Sequence, residues 1–187
     1  MNNKKDATKI SVYLAQLVYS LSTLDAFTIS SVADFLRMAE EVGKTVFVMG
    51  NGGSGATASH MVCDLNKGVT NRKFKAICLN DNVPSILAYS NDESYDLIFR
   101  QQLKNLMSDG DIVIGISASG SSRNIIEAFE YAKENNAYVI AFTGKKDSIM
   151  EKMANLTVCV NTLDVQQAED AHLAIVHILM RILLGEE

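Results

Sequence analysis

The sequence predicts an α/β fold, a five-stranded parallel sheet with helices on both faces, preceded by two helices. Three observations lead there. Five short apolar runs recur along the chain, helical stretches separate them, and the first forty residues repeat their apolar positions at helical spacing.

In chain order, Ile10, Leu14, Leu17, Val18 and Leu21 form one helical stripe, and Ile29, Val32, Ala33, Leu36 and Ala39 a second, closed by Gly43. The runs "TVFVM" (45–49), "KAICL" (75–79), "DIVIGI" (111–116), "AYVIAF" (137–142) and "LTVCV" (156–160) read as fully buried strands. Val165 to Leu184 is apolar almost all round, which predicts a helix buried on several sides, with a partner subunit as its cover. Pro84 is the one proline, and no repeat or linker interrupts the chain. The expected organisation is a single domain over 1–187, with a helical pair at 1–43 and a sandwich at 44–187 that ends in an interface helix.

Composition narrows the function classes. With 187 residues, 48% hydrophobic and 21% charged, the chain can bury one substantial core. A net charge of −5 argues against nucleic acid as a partner, because phosphate backbones call for clustered Lys and Arg. Cys63, Cys78 and Cys159 contain no CxxC pair and read as reduced thiols. The sequence offers neither signal-peptide flanks nor an apolar span of roughly 18 residues, so a cytoplasmic protein with no membrane partner is expected.

Ligands of such folds sit beyond the carboxyl ends of the strands, where two loops are unusual. "GNGGSGATASH" follows the first strand. As a Walker loop it fails, because Ala56 stands where the lysine is needed. As a dinucleotide fingerprint Gly50, Gly52 and Gly55 fit, with Asp81 as a ribose acceptor, and that reading stays open. The second loop, "SASGSSRN" (117–124), carries four serines before a helix starting near Arg123. An ordinary N-cap needs one such residue. Helix N–H groups, the helix dipole and serine hydroxyls together suit a phosphate dianion.

Taken together, "GNGGSGATASH", "SND" (90–92), "ISASGSS" (116–122), "FTGKK" (142–146) and "EDAHLAIVH" (169–177) resemble the sugar isomerase (SIS) domain family, in its phosphoheptose isomerase branch. The resemblance implies a flavodoxin-like three-layer α/β/α sandwich. It also implies a homotetramer binding a small-molecule sugar phosphate between subunits, with no nucleotide cofactor. Carried over by position, Asn51, Gly52, Gly53, Ser54, Asn91 and Asp92 would line the substrate site, and Ser117, Ala118, Ser119 and Ser122 would hold the phosphate. His60, Asp64, Glu169 and His177 would bind a metal, usually zinc, with Asp64 or Glu169 as base and His177 as proton shuttle. Asp64 and Glu169 depart from the Glu and Gln of the family pattern.

Helical geometry tests this set. His60 and Asp64, at i and i+4, share a face. Glu169 and His177 are about 80° apart around the axis but roughly 12 Å along it, so one site would draw on long side chains or on two subunits. His172 and His177 differ by about 140°, so one site would not draw on both from one chain; both are structural by default, and the resemblance favours His177. Taken alone, His60 would be an interface or core histidine, Asp64 a solvated acid and Cys63 a core residue or a further ligand. A non-catalytic SIS regulator, sensing a sugar phosphate or binding a replication-initiator-type protein, is the alternative function.

Overall fold

The computed structural model describes residues 2–185. Helices α1 (Asn2–Ser22) and α2 (Ala26–Glu41) come first, and Gly43 ends the pair with φ +71°. Then follow β1 (Thr45–Gly50), α3 (Gly52–Cys63), β2 (Lys75–Cys78), α4 (Val83–Asp92), α5 (Ile98–Leu106), β3 (Ile112–Ser117), α6 (Arg123–Glu134), β4 (Tyr138–Thr143), α7 (Ile149–Met153), β5 (Leu156–Cys159) and α8 (Val165–Leu184). A π-helical turn, Asp64–Gly68, extends α3, and a 3-10 turn, Tyr95–Leu97, precedes α5.

All strand pairs are parallel and the order is β2-β1-β3-β4-β5. Strand order reverses between β1 and β3, whose connections leave toward opposite faces and open a crevice at the carboxyl edge. One expectation is corrected here. β2 and β5 are edge strands, with Lys75 and Ile77 exposed on β2, because only β1, β3 and β4 have a neighbour on each side.

Alternate strand residues feed two cores. Val46, Val48, Ile112, Ile114 and Phe142 pack under α2, α3 and α8. Phe47, Met49, Val113, Val139 and Ala141 pack under α5, α6 and α7. α1 lies outside α8, tied by Tyr13 Oη donating to Asp170 Oδ2 at 2.6 Å and Gln167 Nε2 donating to Gln16 Oε1 at 3.0 Å. It leaves Ile10, Leu14 and Val18 exposed on one stripe. α8 is accordingly buried along Ala168, Ala171, Ile175 and Leu179, whereas Ile178 is exposed.

Gly115 lets α6 approach the middle of β3: a Cβ there would stand 2.6 Å from Ile125 Cγ2 and 2.7 Å from the Phe129 ring. Gly115→Ala is expected to destabilise by about 1–3 kcal/mol through overpacking. Urea unfolding would read this as a lower midpoint at unchanged slope, and an unshifted midpoint would contradict the close approach.

Candidate active site

The crevice is walled by the ends of β1 and β3 and the helices that follow them. Asn80 holds the end of β1, its Nδ2 donating to Gly50 O at 2.7 Å and its Oδ1 accepting from Gly50 N at 3.1 Å. Gly50 has no room for a side chain, since a Cβ would lie 2.5 Å from the Ser54 carbonyl. Across the crevice, Asn51 and Asn124 exchange two amide hydrogen bonds, of 2.9 and 2.8 Å, and Tyr95 Oη donates to Asn51 Oδ1 at 2.8 Å. This pair joins the N-terminal ends of α3 and α6.

Those two helix ends differ from the starts of α2, α4, α7 and α8. Asp25, Asn82, Ser148 and Asp164 cap α2, α4, α7 and α8 with side-chain acceptors. Asn51 and Ser122, the capping residues of α3 and α6, make no such bond. The first-turn N–H groups of α6 therefore remain available to an anion. Ser117 Oγ lies 3.0 Å from Ser122 Oγ and 3.3 Å from Ser119 Oγ, and it accepts from Gly120 N at 3.2 Å, so the serine hydroxyls converge at the mouth of α6.

The serines open into a cavity of about 250 Å³ lined by Asn51, Ser54, Ile116, Ser117, Ala118, Ser119, Ser122, Val165 and Glu169. Glu169 reaches it from α8, its carboxylate lying where a Cβ on Gly53 would stand, 2.4 Å from Oε2. A carboxylate thus covers the first turn of α3, the place a dinucleotide fingerprint reserves for pyrophosphate.

A second group of side chains lies further along the same helices. His60 Nε2 is 3.1 Å from His177 Nε2 and 3.5 Å from Asp64 Oδ2. Gly53 faces Glu169 and His60 faces His177, so α3 and α8 run side by side in the same direction. Asp64 opens the π turn, closed by Val69 N donating to Asp64 O at 2.9 Å. Asn66 ties that turn to β2 with two bonds to the Ala76 backbone, of 2.9 and 3.1 Å.

The donor set fits a metal ion. The ligand atoms of His60, Asp64 and His177 all lie within 4.8 Å of one another, and Asp64 Oδ2 is buried with no hydrogen-bond partner. Donors bound at about 2.0–2.2 Å to a tetrahedral zinc stand roughly 3.3 Å apart, close to the His–His and His–Asp separations. Three protein ligands leave a fourth position open, as catalytic zinc sites do.

Of the residues expected from sequence, Asn51, Ser54, Ser117, Ala118, Ser119, Ser122 and Glu169 meet at the cavity. Gly52 and Gly53 are exposed at its rim. His60, Asp64 and His177 meet at the second cluster, which within one chain includes neither Glu169 nor Cys63. Asn91 and Asp92 are not brought to the cavity wall; they are exposed at the end of α4, where Asn91 Nδ2 donates to Asp92 Oδ1 at 2.8 Å. Asn80, Tyr95 and Asn124 went unread in the sequence. Asn124 carried one local signal, an amide in the first turn of the helix behind the serine loop.

The SIS domain family matches residues 12–144. The chain belongs to the SIS domain family. This SIS protein is 37% identical over 156 residues to a phosphoheptose isomerase of Thermodesulfovibrio yellowstonii, covering 82% of this chain and 78% of that one. It is 32% identical over 166 residues to a phosphoheptose isomerase of Geobacter sulfurreducens, covering 88% of each. The solved structure of a phosphoheptose isomerase from Francisella tularensis superposes with a TM-score of 0.89 at 29% identity, over 97% of this chain and 99% of that one.

His172 of this SIS protein lies beneath the site. Its ring is fully buried, tilted against Phe142 at 6.1 Å, with neither nitrogen hydrogen-bonded. Burial pushes its pKa down to about 4, opposed by the Thr143 backbone. An unfolded imidazole protonates near 6.5 and the folded one only near 4, so stability present above pH 6.5 is lost as pH falls through that window. The expected slope is at most about 1.4 kcal/mol per pH unit. Urea midpoints from pH 7 to pH 4 should fall less steeply in His172→Gln than in the wild type, and parallel curves would contradict the buried neutral state.

Proposed function

We infer that this protein is a phosphosugar isomerase of the phosphoheptose type, interconverting a ketose phosphate such as sedoheptulose 7-phosphate with its aldose isomer. The observation that carries the reading is the pairing of an uncapped, serine-rich anion mouth at α6 with a His–Asp–His cluster carried by α3, its π turn and α8, the helix that also brings Glu169 to the serine cavity. Glu169, which lines the serine cavity, is eight residues from His177 on α8, and Gly53 opposite it is seven from His60 on α3, about 10–12 Å at the helical rise. With C–C bonds of about 1.5 Å, an extended seven-carbon chain with a terminal phosphate spans roughly 10 Å. A phosphate at Ser119 and Ser122 would then leave the carbonyl end near Asp64 and His177.

Aldose–ketose exchange needs a base for the proton beside the carbonyl, a group that moves a proton between the two oxygens, and stabilisation of the enediolate. Asp64 is our base and His177 our shuttle. The Asp64 carboxylate, whose buried Oδ2 lies 3.5 Å from His60, and the exposed imidazole of His177 belong to one cluster, which a sugar laid along the helices would meet. Zinc, which His60, Asp64 and His177 would hold, would polarise the substrate oxygens; a carboxylate that ligates through one oxygen keeps the second for proton transfer, and an imidazole ligated at one nitrogen keeps the other. Serine contacts to the phosphate contribute orientation, which can be worth several kcal/mol.

Glu169 would act at the phosphate end of its own chain, or reach a cluster only from a second copy. We place the assembly as a homotetramer whose subunits cover the apolar stripe of α1 and the exposed Ile178 beside His177. Among the described residues no single helix is long and apolar enough to cross a membrane.

Incubation of the purified protein with sedoheptulose 7-phosphate, with and without added zinc, tests the assignment by NMR detection of an aldoheptose phosphate. Asp64→Asn and His177→Ala should each slow turnover more than about 100-fold. Near-wild-type turnover in both would sink the assigned roles. Saturable binding of the sugar phosphate without any conversion would favour a sensing or regulatory protein.

A further inference from the structure

The serine mouth presents dipoles and hydroxyls but lacks a charge of its own to balance a phosphate dianion. Arg123, the cation nearest in sequence, is spent on Glu127, its partner one helical turn on. Beside the cavity lies a recess of about 190 Å³, lined by Ala118, Ser119, Lys145, Thr162, Leu163, Asp164 and Val165. It shares Ala118, Ser119 and Val165 with the cavity, so the two spaces adjoin on the serine loop.

Lys145 is held there by its backbone. The preceding Gly144 donates its N–H to Ala118 O at 3.1 Å, and its carbonyl accepts from Thr162 N at 2.7 Å. A Cβ on Gly144 would lie 2.6 Å from Ala118 O and 2.9 Å from Ala168 Cβ, so only glycine lets the strand end come this close to the loop. Among the described residues Lys145 makes no ion pair. Asp164, the acid in the recess, uses Oδ1 to cap α8 through Gln167 N at 3.1 Å.

We propose that Lys145 is the cation that completes the phosphate subsite, a binding residue that selects a phosphate dianion over a neutral sugar. The proposal rests on the phosphosugar reading above and deepens it. Lysine suits the task as a point charge on a flexible stem, able to settle on whichever oxygen the serines and the α6 N–H groups leave uncovered. A phosphate monoester carries close to two negative charges at neutral pH, so losing one nearby cation weakens its binding strongly while a neutral sugar is unaffected.

Calorimetric titration of the intact protein with sedoheptulose 7-phosphate, inorganic phosphate and free sedoheptulose tests this in wild type, Lys145→Met and Lys145→Arg. We expect Lys145→Met to weaken both phosphates about tenfold or more, to leave any affinity for sedoheptulose unchanged and to flatten the salt dependence of phosphate binding. Lys145→Arg should recover most of the loss. Equal phosphate affinities in wild type and Lys145→Met overturn the role of the lysine and leave the serine site standing. Wild-type protein that binds neither phosphate overturns the phosphosugar reading and the lysine with it.

Discussion

The reciprocal amide pair of Asn51 and Asn124 sets the width of the crevice on which the site depends. Each residue stands at the start of a helix, one behind the glycine stretch and one behind the serines, and the two bonds hold those helix ends at a fixed separation. Asn124 is 2% exposed, so breaking the pair would strand a buried amide at a cost of about 1–3 kcal/mol. The pairing also limits what Asn51 can offer a ligand. Its oxygen already accepts from Asn124 and Tyr95, which leaves one N–H free.

Asparagine serves the same purpose elsewhere around the site. Asn80 closes the end of β1 and Asn66 fastens the π turn to β2, each using its amide as donor and acceptor to one stretch of backbone. A primary amide carries both functions on a short, planar group, so it can replace the ladder bond that a strand loses where it ends. The side chains of the candidate site are thus mounted on joints whose amides both donate and accept, which fixes their placement.

Much of this was legible in the sequence, and the reasons are particular. Strands β1, β3 and β4 announce themselves as uninterrupted apolar runs because helices cover both of their faces. Their ends fell within a residue of those read from the pattern. The edge position of β2 was hidden because "KAICL" is apolar enough to pass for a central strand, while its exposure follows from strand order, which periodicity does not encode. The serine loop was readable from an excess over capping need. The asparagine joints were not, because an Asn is common at helix starts and turns for local reasons, and a partner 73 positions away leaves no local trace. The place of Lys145 beside the serine loop was hidden for the same reason, since it depends on Gly144 docking on Ala118, a contact between the ends of separate strands.

The π turn at Asp64–Gly68 holds one residue more than an α turn would, and that surplus residue lies between the cluster and β2. Removing a single position there would wind the segment back to α-helical pitch and turn everything after it by about 100° about the axis. Asn66 would then swing away from Ala76, and the carboxylate of Asp64 would lose the turn that holds it. The number of residues in this segment is therefore as much a part of the chemistry as their identity. A homologous chain that keeps His60, Asp64 and His177 but differs by one insertion or deletion within Asp64–Gly68 is expected to set these side chains differently.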